Sequence, residues 1–500
     1  MKTSFFRYRY YIVLSSAFVI INVLTLEHLA PWIDEVMFLD TSYNAAVHGR
    51  WETTAWYRVA GQYPFSTYPP LYQLLAAAWI WLFGGSLVAV RSMNLLVMLL
   101  LGMASLRLMR RQGFVMTTWT ELLFTVLLWG TSEVAVIYRN GRPDMLCALA
   151  FVLAVSAIDR HLSARSQASR VAVVFTSTCL LCSGIQAAVC LCVLWLFLFV
   201  VNGQRRMEVA RLLPLLMAGL LTGLLAVAFF MLAHGRLLPF ASSVVQYSAT
   251  LKSIALAVLP WTGEVFGFAS EPYTQKLLQL GAEPSLAERL ISLTEYHTFF
   301  VLAVIALLAY ATCFRCDLKG VLRDKGFLSL LFALCVPVMM TLAGRFPFYY
   351  RWMAFLPLVA SVVWVAAKHR HSCAVFSAVA IVMAAFGLRT MRPSEHWDYD
   401  NLRSFVQRQH FRQADNVVCP FLAFYEMKPV CDTCYFAGIF PTEYIGHANY
   451  IIEAPDGGEF DRPITDYVYR LKSDTTIELS IVDRCEDPSL ILYHVRKKNE

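Results

Sequence analysis

Apolar runs of transmembrane length, roughly twenty residues, recur from residue 11 to residue 389 and limit what this chain can fold into. In lipid every backbone N–H and C=O needs an internal partner, so these runs are read as helices. A β-barrel would show alternating segments of about ten residues instead, and the first 390 residues show none. With 58% hydrophobic and 15% charged residues, an ordinary water-soluble domain is excluded. The predicted fold is a polytopic α-helical membrane protein of about 11 to 13 spanning helices.

The net charge of +7 comes from 42 Lys and Arg against 35 Asp and Glu. The basic residues cluster in short loops at 107–111, 160–170, 205–211, 315–325 and 368–371, where they orient a membrane protein, so nucleic acid is not an expected partner. Lys2, Arg7 and Arg9 precede the stretch Tyr11 to Leu26. No convincing small-residue cleavage site follows, so this is read as a retained first helix with a cytoplasmic N-terminus rather than a signal peptide.

Further runs fall at 69–83, 86–106, 119–137, 144–159, 171–201, 213–233, 297–314, 326–343, 352–367 and 373–389. The 171–201 run holds two short helices divided near Ser183-Gly184. The 69–83 run opens after two prolines and conflicts with the basic loop at 107–111 if it crosses fully; either it is re-entrant or tilted, or the charge rule fails at Arg107. In both cases the C-terminus lies opposite the N-terminus. The expected outside segments are 27–68, 138–143, roughly 234–296, 344–351 and everything past about 390.

Two units follow from this layout. Residues 1–390 form the membrane domain, with 27–68 as its first outside loop. In that loop Val36, Met37, Leu39, Tyr43, Ala46 and Val47 suit an amphipathic helix lying along the membrane surface. Residues 391–500 carry more charge and shorter apolar runs, and are read as a small extracytoplasmic α/β domain. Its helix is expected over Asn401–His410, and its strands over Asn416–Phe421, Tyr450–Glu453, Thr476–Val482 and Leu490–Val495.

The first outside loop begins with two adjacent carboxylates, Asp34 and Glu35. A charged pair at the mouth of a membrane helix is costly unless water, a partner or chemistry uses it. A carboxylate there can take a proton from an attacking hydroxyl, and a phosphate leaving group needs only charge stabilisation, which Arg supplies. Asp34 is the candidate base, and Glu35 the candidate to orient sugar, acceptor or a neighbouring arginine. Arg91, Arg139, Arg142, Arg345 and Arg351 are candidates for phosphate, Tyr68, Tyr349 and Tyr350 for phosphate or sugar, and Asp144 is a further candidate at the donor site. Each has a plainer reading. Arg at a helix end snorkels, Tyr and Trp anchor at the interface, and Asp144 after Pro143 suits a helix start.

Trp32-x-Asp34-Glu35 after the first helix is followed by a helix ending near Gly49. Then come Tyr68-Pro69-Pro70-Leu71, Leu82-Phe83-Gly84 and Arg91. That order resembles the GT-C glycosyltransferases, in particular the aminoarabinose-transferase and protein O-mannosyltransferase-like group. Arg142-Pro143-Asp144 is loosely similar to the group's Arg-x-x-x-Asp element. Arg345-x-Pro-x-Tyr349-Tyr350 with Pro357-Leu358 is similar to its late loop-to-helix element. The likeness in layout spans about 1–390.

The resemblance implies an inverting membrane glycosyltransferase, hexosyl or pentosyl, with Asp34 as general base. Its donor would be a polyprenyl-phosphate sugar, undecaprenyl phosphate in a bacterial inner membrane, acting at the extracytoplasmic face. The acceptor would be a lipid, a glycan or a protein. Where the group has Lys or His before Pro-Pro, this chain has Tyr68. A divalent metal is open, since some relatives use one, but no acidic cluster completes a hard-cation site.

Of thirteen cysteines, Cys419, Cys431, Cys434 and Cys485 fall in the polar C-terminal part. They are read as structural disulfides in preference to half a zinc site at Cys431-x-x-Cys434. Two other functions compete. A transporter or flippase of a lipid-linked substrate would want charges at mid-bilayer and often shows internal repeats. A non-catalytic envelope-glycan scaffold is favoured by Tyr68 alone.

Overall fold

The computed structural model describes residues 8–53, 68–201, 205–238, 240–241, 297–314, 318–343, 348–389, 391–392, 397–431, 433–436, 448–456 and 462–498. Arg345 and most of the expected outside loop at 234–296 lie outside the described residues. Among the described residues, six helices are long and apolar enough to cross a membrane, with a seventh if a bent pair is one span, and four more apolar helices are shorter.

Contacts fix which way each helix runs. Helix α1 (Arg9–Thr25) starts at one end, where the Tyr11 amide donates to Glu121 Oε1 at 3.2 Å. It finishes at the other, where Thr25 O accepts from Arg139 at 2.7 Å. The second end also receives α2 (Ile33–His48), closed by Gly49 in the left-handed region at φ 69°, a conformation open to glycine without a Cβ penalty.

The 69–83 run forms helix α3 (Leu71–Phe83). Its first turn packs Tyr72 edge-on to Phe38 of α2, and a Cβ at Gly85, just past its last turn, would strike the Tyr43 ring of the same helix. Both ends therefore abut α2. At about 20 Å it is also shorter than the ~30 Å hydrocarbon layer, as the re-entrant alternative requires.

Helix α4 (Leu87–Arg111) makes the return, with Arg91 beside α2 and Arg111 paired to Asp159 at the far end. The basic loops expected on one side gather there. Lys325 reaches Gln112 O at 2.8 Å, Lys368 pairs with Asp324 at 2.5 Å, and Arg165 pairs with Glu208.

Helices α5 (Thr118–Gly130) and α6 (Ser132–Tyr138) form the bent pair, turned by 63°. Thr131 between them is extended, and the Tyr138 hydroxyl closes the bend on Trp129 O at 2.7 Å. The bend delivers residues 139–143 to α2. From there α7 (Asp144–Ala164) descends, and α8 (Gln167–Ser183) and α9 (Ile185–Val201) divide at Gly184, as the sequence implied.

The remaining membrane helices include α10 (Leu213–Ala233), α11 (His297–Phe314), α12 (Lys325–Ala343), α13 (Trp352–Lys368) and α14 (Arg370–Arg389). Helices α5 and α14 meet through small residues. A Cβ on Gly387 would land on the Gly130 carbonyl oxygen, and one on Gly130 would sit 2.8 Å from Ala384 Cβ. Gly387→Val is therefore expected to cost about 1–3 kcal/mol through overpacking. The faster loss of monodisperse protein on heating in detergent would show it; wild-type decay would refute the close approach.

The C-terminal residues form a five-stranded mixed sheet in the order β2-β1-β3-β5-β4. Its strands are β1 (Asn416–Cys419), β2 (Thr433–Phe436), β3 (Tyr450–Glu453), β4 (Ile477–Cys485) and β5 (Leu490–Lys497). Side chains alternate across a strand, and here the alternation sorts two cores. Val417, Cys419, Ile452, Leu490 and Leu492 join the large core that continues into the membrane helices. Val418, Ile451 and Tyr493 face the other way and pack on α17 (Arg462–Ser473).

On the membrane side the sheet is backed by α15 (Tyr399–Arg408) and the short α16 (Phe424–Met427). Strand β2 and helix α17 are additions to the sequence reading. β2 begins inside Cys431-x-x-Cys434, at Thr433. The expected disulfides are not formed: Cys419, Cys431, Cys434 and Cys485 are all free thiols, three of them fully buried.

Candidate active site

The site grows from the first turn of α2. Trp32 is extended and the helix begins at Ile33, so Asp34 and Glu35 both fall in the first turn, where the helix dipole favours negative charge. One helical step of rotation gives the two carboxylates different fates.

Glu35 turns inward and is fully buried. Arg91 grips it with both ends of the guanidinium, Nε to Oε1 and Nη2 to Oε2, each at 2.8 Å. Oε1 also accepts from the Gly141 amide at 3.0 Å and the Tyr425 hydroxyl at 2.6 Å, and Oε2 from the Trp32 amide at 3.4 Å. Burial and the Glu35 charge push the Tyr425 phenol well above its usual range, so it stays a donor.

Arg91 is fully engaged in turn. Its remaining N–H groups go to the carbonyls of Leu26 and Leu29 at 2.7 Å and of Ala30 at 3.3 Å, so all five donors of a guanidinium are used. The structure thus gives Glu35 the last of its expected roles, orienting a neighbouring arginine, and takes Arg91, a candidate for phosphate, into a sealed pair that sets the shape of the chain around the site.

Asp34 turns outward and keeps 25% of its side-chain surface exposed. Its Oδ2 accepts from Arg142 Nη1. Arg142 is nearly fully buried and also bonds Asp144 Oδ2 through Nε at 2.8 Å. Burial alone would lower the Arg142 pKa, but the Asp144 and Asp34 carboxylates outweigh it and hold the guanidinium charged. The Tyr349 ring centre lies 3.9 Å from its central carbon and the Trp32 ring centre 4.9 Å, both close enough for cation–π attraction. Asp144 opens α7 directly after Pro143, and its Oδ1 is buried with no hydrogen-bond partner among the described residues.

Around this centre Tyr350 packs edge-on to Tyr349 with ring centres 4.7 Å apart, and Arg351 follows at the start of α13. Tyr68 leans edge-on against Phe38 at 4.9 Å with its hydroxyl buried and without a partner among the described residues. Burial, reinforced by Tyr350 and Asp144, pushes this phenol well above its usual range, so it too remains an O–H donor. Arg139 goes elsewhere: buried, it bonds Thr25 O and Oγ1 at 2.7 and 3.2 Å.

Asp34, Arg142, Asp144, Tyr68, Tyr349 and Tyr350 therefore converge. Glu35 and Arg91 lie behind them, Arg139 lies apart, and Arg345 is outside the described residues. Trp32, Phe38, Gly141 and Tyr425 are additional members. Only Trp32 had a sequence signal, its place in Trp32-x-Asp34-Glu35.

A hard cation does not fit the described residues. Asp34 and Asp144 are bridged by a guanidinium that already supplies the positive charge, and no three His, Cys, Asp or Glu side chains converge among the described residues.

No family model and no curated protein matches this sequence. Solved structures do. The chain is similar over 98% of its length, and 98% of the other, to ArnT from Cupriavidus metallidurans bound to undecaprenyl phosphate, at 13% identity and TM-score 0.52. It is similar over 93% of its length, and 72% of the other, to an oligosaccharyltransferase from Archaeoglobus fulgidus tethered to an acceptor peptide, at 13% identity and TM-score 0.50. The chain shares their fold.

Proposed function

We propose that this chain is an integral-membrane glycosyltransferase that moves a hexosyl or pentosyl unit from a polyprenyl-phosphate donor to an acceptor hydroxyl, with inversion. The observation that carries the reading is Asp34 itself: a partly exposed carboxylate held at the edge of a buried cation, Arg142. The basic loops gathered at the opposite end favour an extracytoplasmic site, and the C-terminal sheet unit meets that end through Tyr425 and Lys428. The Cupriavidus protein of the same fold is bound to undecaprenyl phosphate, which supports that class of lipid carrier.

In this mechanism Asp34 takes the proton of the acceptor hydroxyl as its oxygen bonds to the anomeric carbon. The bond from that carbon to the phosphate oxygen breaks, and the phosphate leaves with the electron pair. Asp34 and Asp144 engage two of the five N–H donors of Arg142, and the others stabilise the leaving phosphate. The protonated Tyr68 hydroxyl gives one neutral hydrogen bond where the resembled group has a basic residue. Tyr349, Tyr350 and Arg351 line the approach of the donor.

The reading is tested by incubating purified protein with a panel of polyprenyl-phosphate sugars and extracted envelope acceptors. A glycosylated product from one donor is expected. Folded protein that transfers from none, yet moves a lipid-linked sugar across reconstituted vesicles, would replace the enzyme with a transporter.

A further inference from the structure

The C-terminal unit reaches into the membrane domain at two buried polar points. Tyr425, on the short α16, donates to Glu35 Oε1 at 2.6 Å, across 390 positions of chain. Three residues on, Lys428 pairs with Asp40 of α2 at 2.8 Å with both side chains fully buried. Asp40 is secured further by the Thr53 hydroxyl at 2.6 Å. Both contacts fall on α2, the helix that presents Asp34.

Glu35 is the link that gives the first contact its consequence. The same Oε1 that accepts from Tyr425 accepts from the Gly141 amide, and Gly141 precedes Arg142 in the chain. A Cβ at Gly141 would fall 2.9 Å from Glu35 Cγ and 3.0 Å from Oε1, so the 139–143 segment is pressed against this carboxylate. Glu35 thus sets the segment carrying Arg142 relative to its own neighbour, Asp34. Tyr425 is the one donor to Glu35, among the described residues, that comes from outside the membrane domain.

We propose that Tyr425 is a positioning residue for the transfer reaction, holding Asp34 and Arg142 in register through Glu35, with Lys428 as the second anchor of the same clasp. The C-terminal unit then belongs to the catalytic apparatus rather than acting as a separate appendage. The inference rests on the glycosyltransferase reading for its kinetic part only.

Tyr425→Phe removes the hydroxyl and keeps the ring, so the buried packing of the unit survives. A small misplacement of reacting groups costs turnover before it costs binding. In the full-length purified protein Tyr425→Phe is expected to lower kcat about tenfold, with KM for the donor changed less than about threefold. Amide exchange of the peptide covering 139–144 should rise, while peptides from β5 exchange as in wild type.

The double variant Asp40→Asn/Lys428→Met, which removes both charges together, should show the same pattern more weakly. Wild-type kcat in Tyr425→Phe would overturn the proposal, as would a loss of kcat accompanied by faster exchange throughout β5. If the wild type transfers from no donor, the functional reading has failed instead. Exchange at 139–144 then decides the clasp alone, and an unchanged rate there would overturn it.

Discussion

Asp34→Asn is expected to lower sugar transfer by about a thousandfold while leaving the folded protein intact. General-base catalysis contributes roughly 10²–10⁴ in rate, and an amide cannot accept a proton near neutral pH. The variant should fold because the carboxamide oxygen can still accept the Arg142 hydrogen bond that Oδ2 accepts now. Asp34 is also partly exposed, so no buried charge is left without its partner. Arg142 keeps Asp144 at 2.8 Å in any case. The check is single-turnover transfer from the active donor together with monodispersity in detergent. Turnover within about tenfold of wild type would remove Asp34 from the chemistry and point to a substrate-assisted or water-mediated proton transfer.

Much of this arrangement is legible in the sequence because it rests on local chemistry. The apolar runs, the division at Gly184, the cap at Gly49 and four of the five strands follow from periodicity and from glycine. The spacing Ile464, Tyr467, Val468, Leu471 is a helix signature as well, and Pro463 in its first turn is a favoured helix start, so this helix is legible though absent from the sequence reading.

The site divides along a different line. Loop topology puts Asp34 on the same side as Arg139, Arg142, Arg345 and Arg351, and nothing in it singles out Arg142 as the partner. Glu35 and Arg91 could not be separated from them, because an arginine near a carboxylate reads the same whether it binds phosphate or is sealed. What distinguishes them is the supply of acceptors. Leu26, Leu29 and Ala30 turn their carbonyls toward Arg91, and only the folded backbone at the end of α1 makes that so. The Tyr425 contact is invisible for a related reason: nothing local to Phe424-Tyr425-Glu426-Met427 marks one hydroxyl as destined for α2.

Arg91→Met is expected to be the most damaging substitution for the fold, costing about 3–5 kcal/mol. Glu35 would lose two charge-assisted hydrogen bonds and remain a buried carboxylate without a cation. Three backbone carbonyls would lose their donors in the same step. Arg91→Lys should recover little, since an ammonium cannot bond both Glu35 oxygens and three carbonyls at once.

Pairing Arg91→Met with Glu35→Gln separates charge from shape. The glutamine removes the stranded charge and keeps an acceptor for the Gly141 amide, so the double variant should be more stable than Arg91→Met alone. Unfolding of a membrane protein in detergent is commonly irreversible, so the measurement is the rate at which monodisperse protein is lost at fixed temperature. If Arg91→Met decays at the wild-type rate, the sealed pair is not what holds the end of α1, α2 and α4 together, and Arg91 returns as a candidate for the donor phosphate.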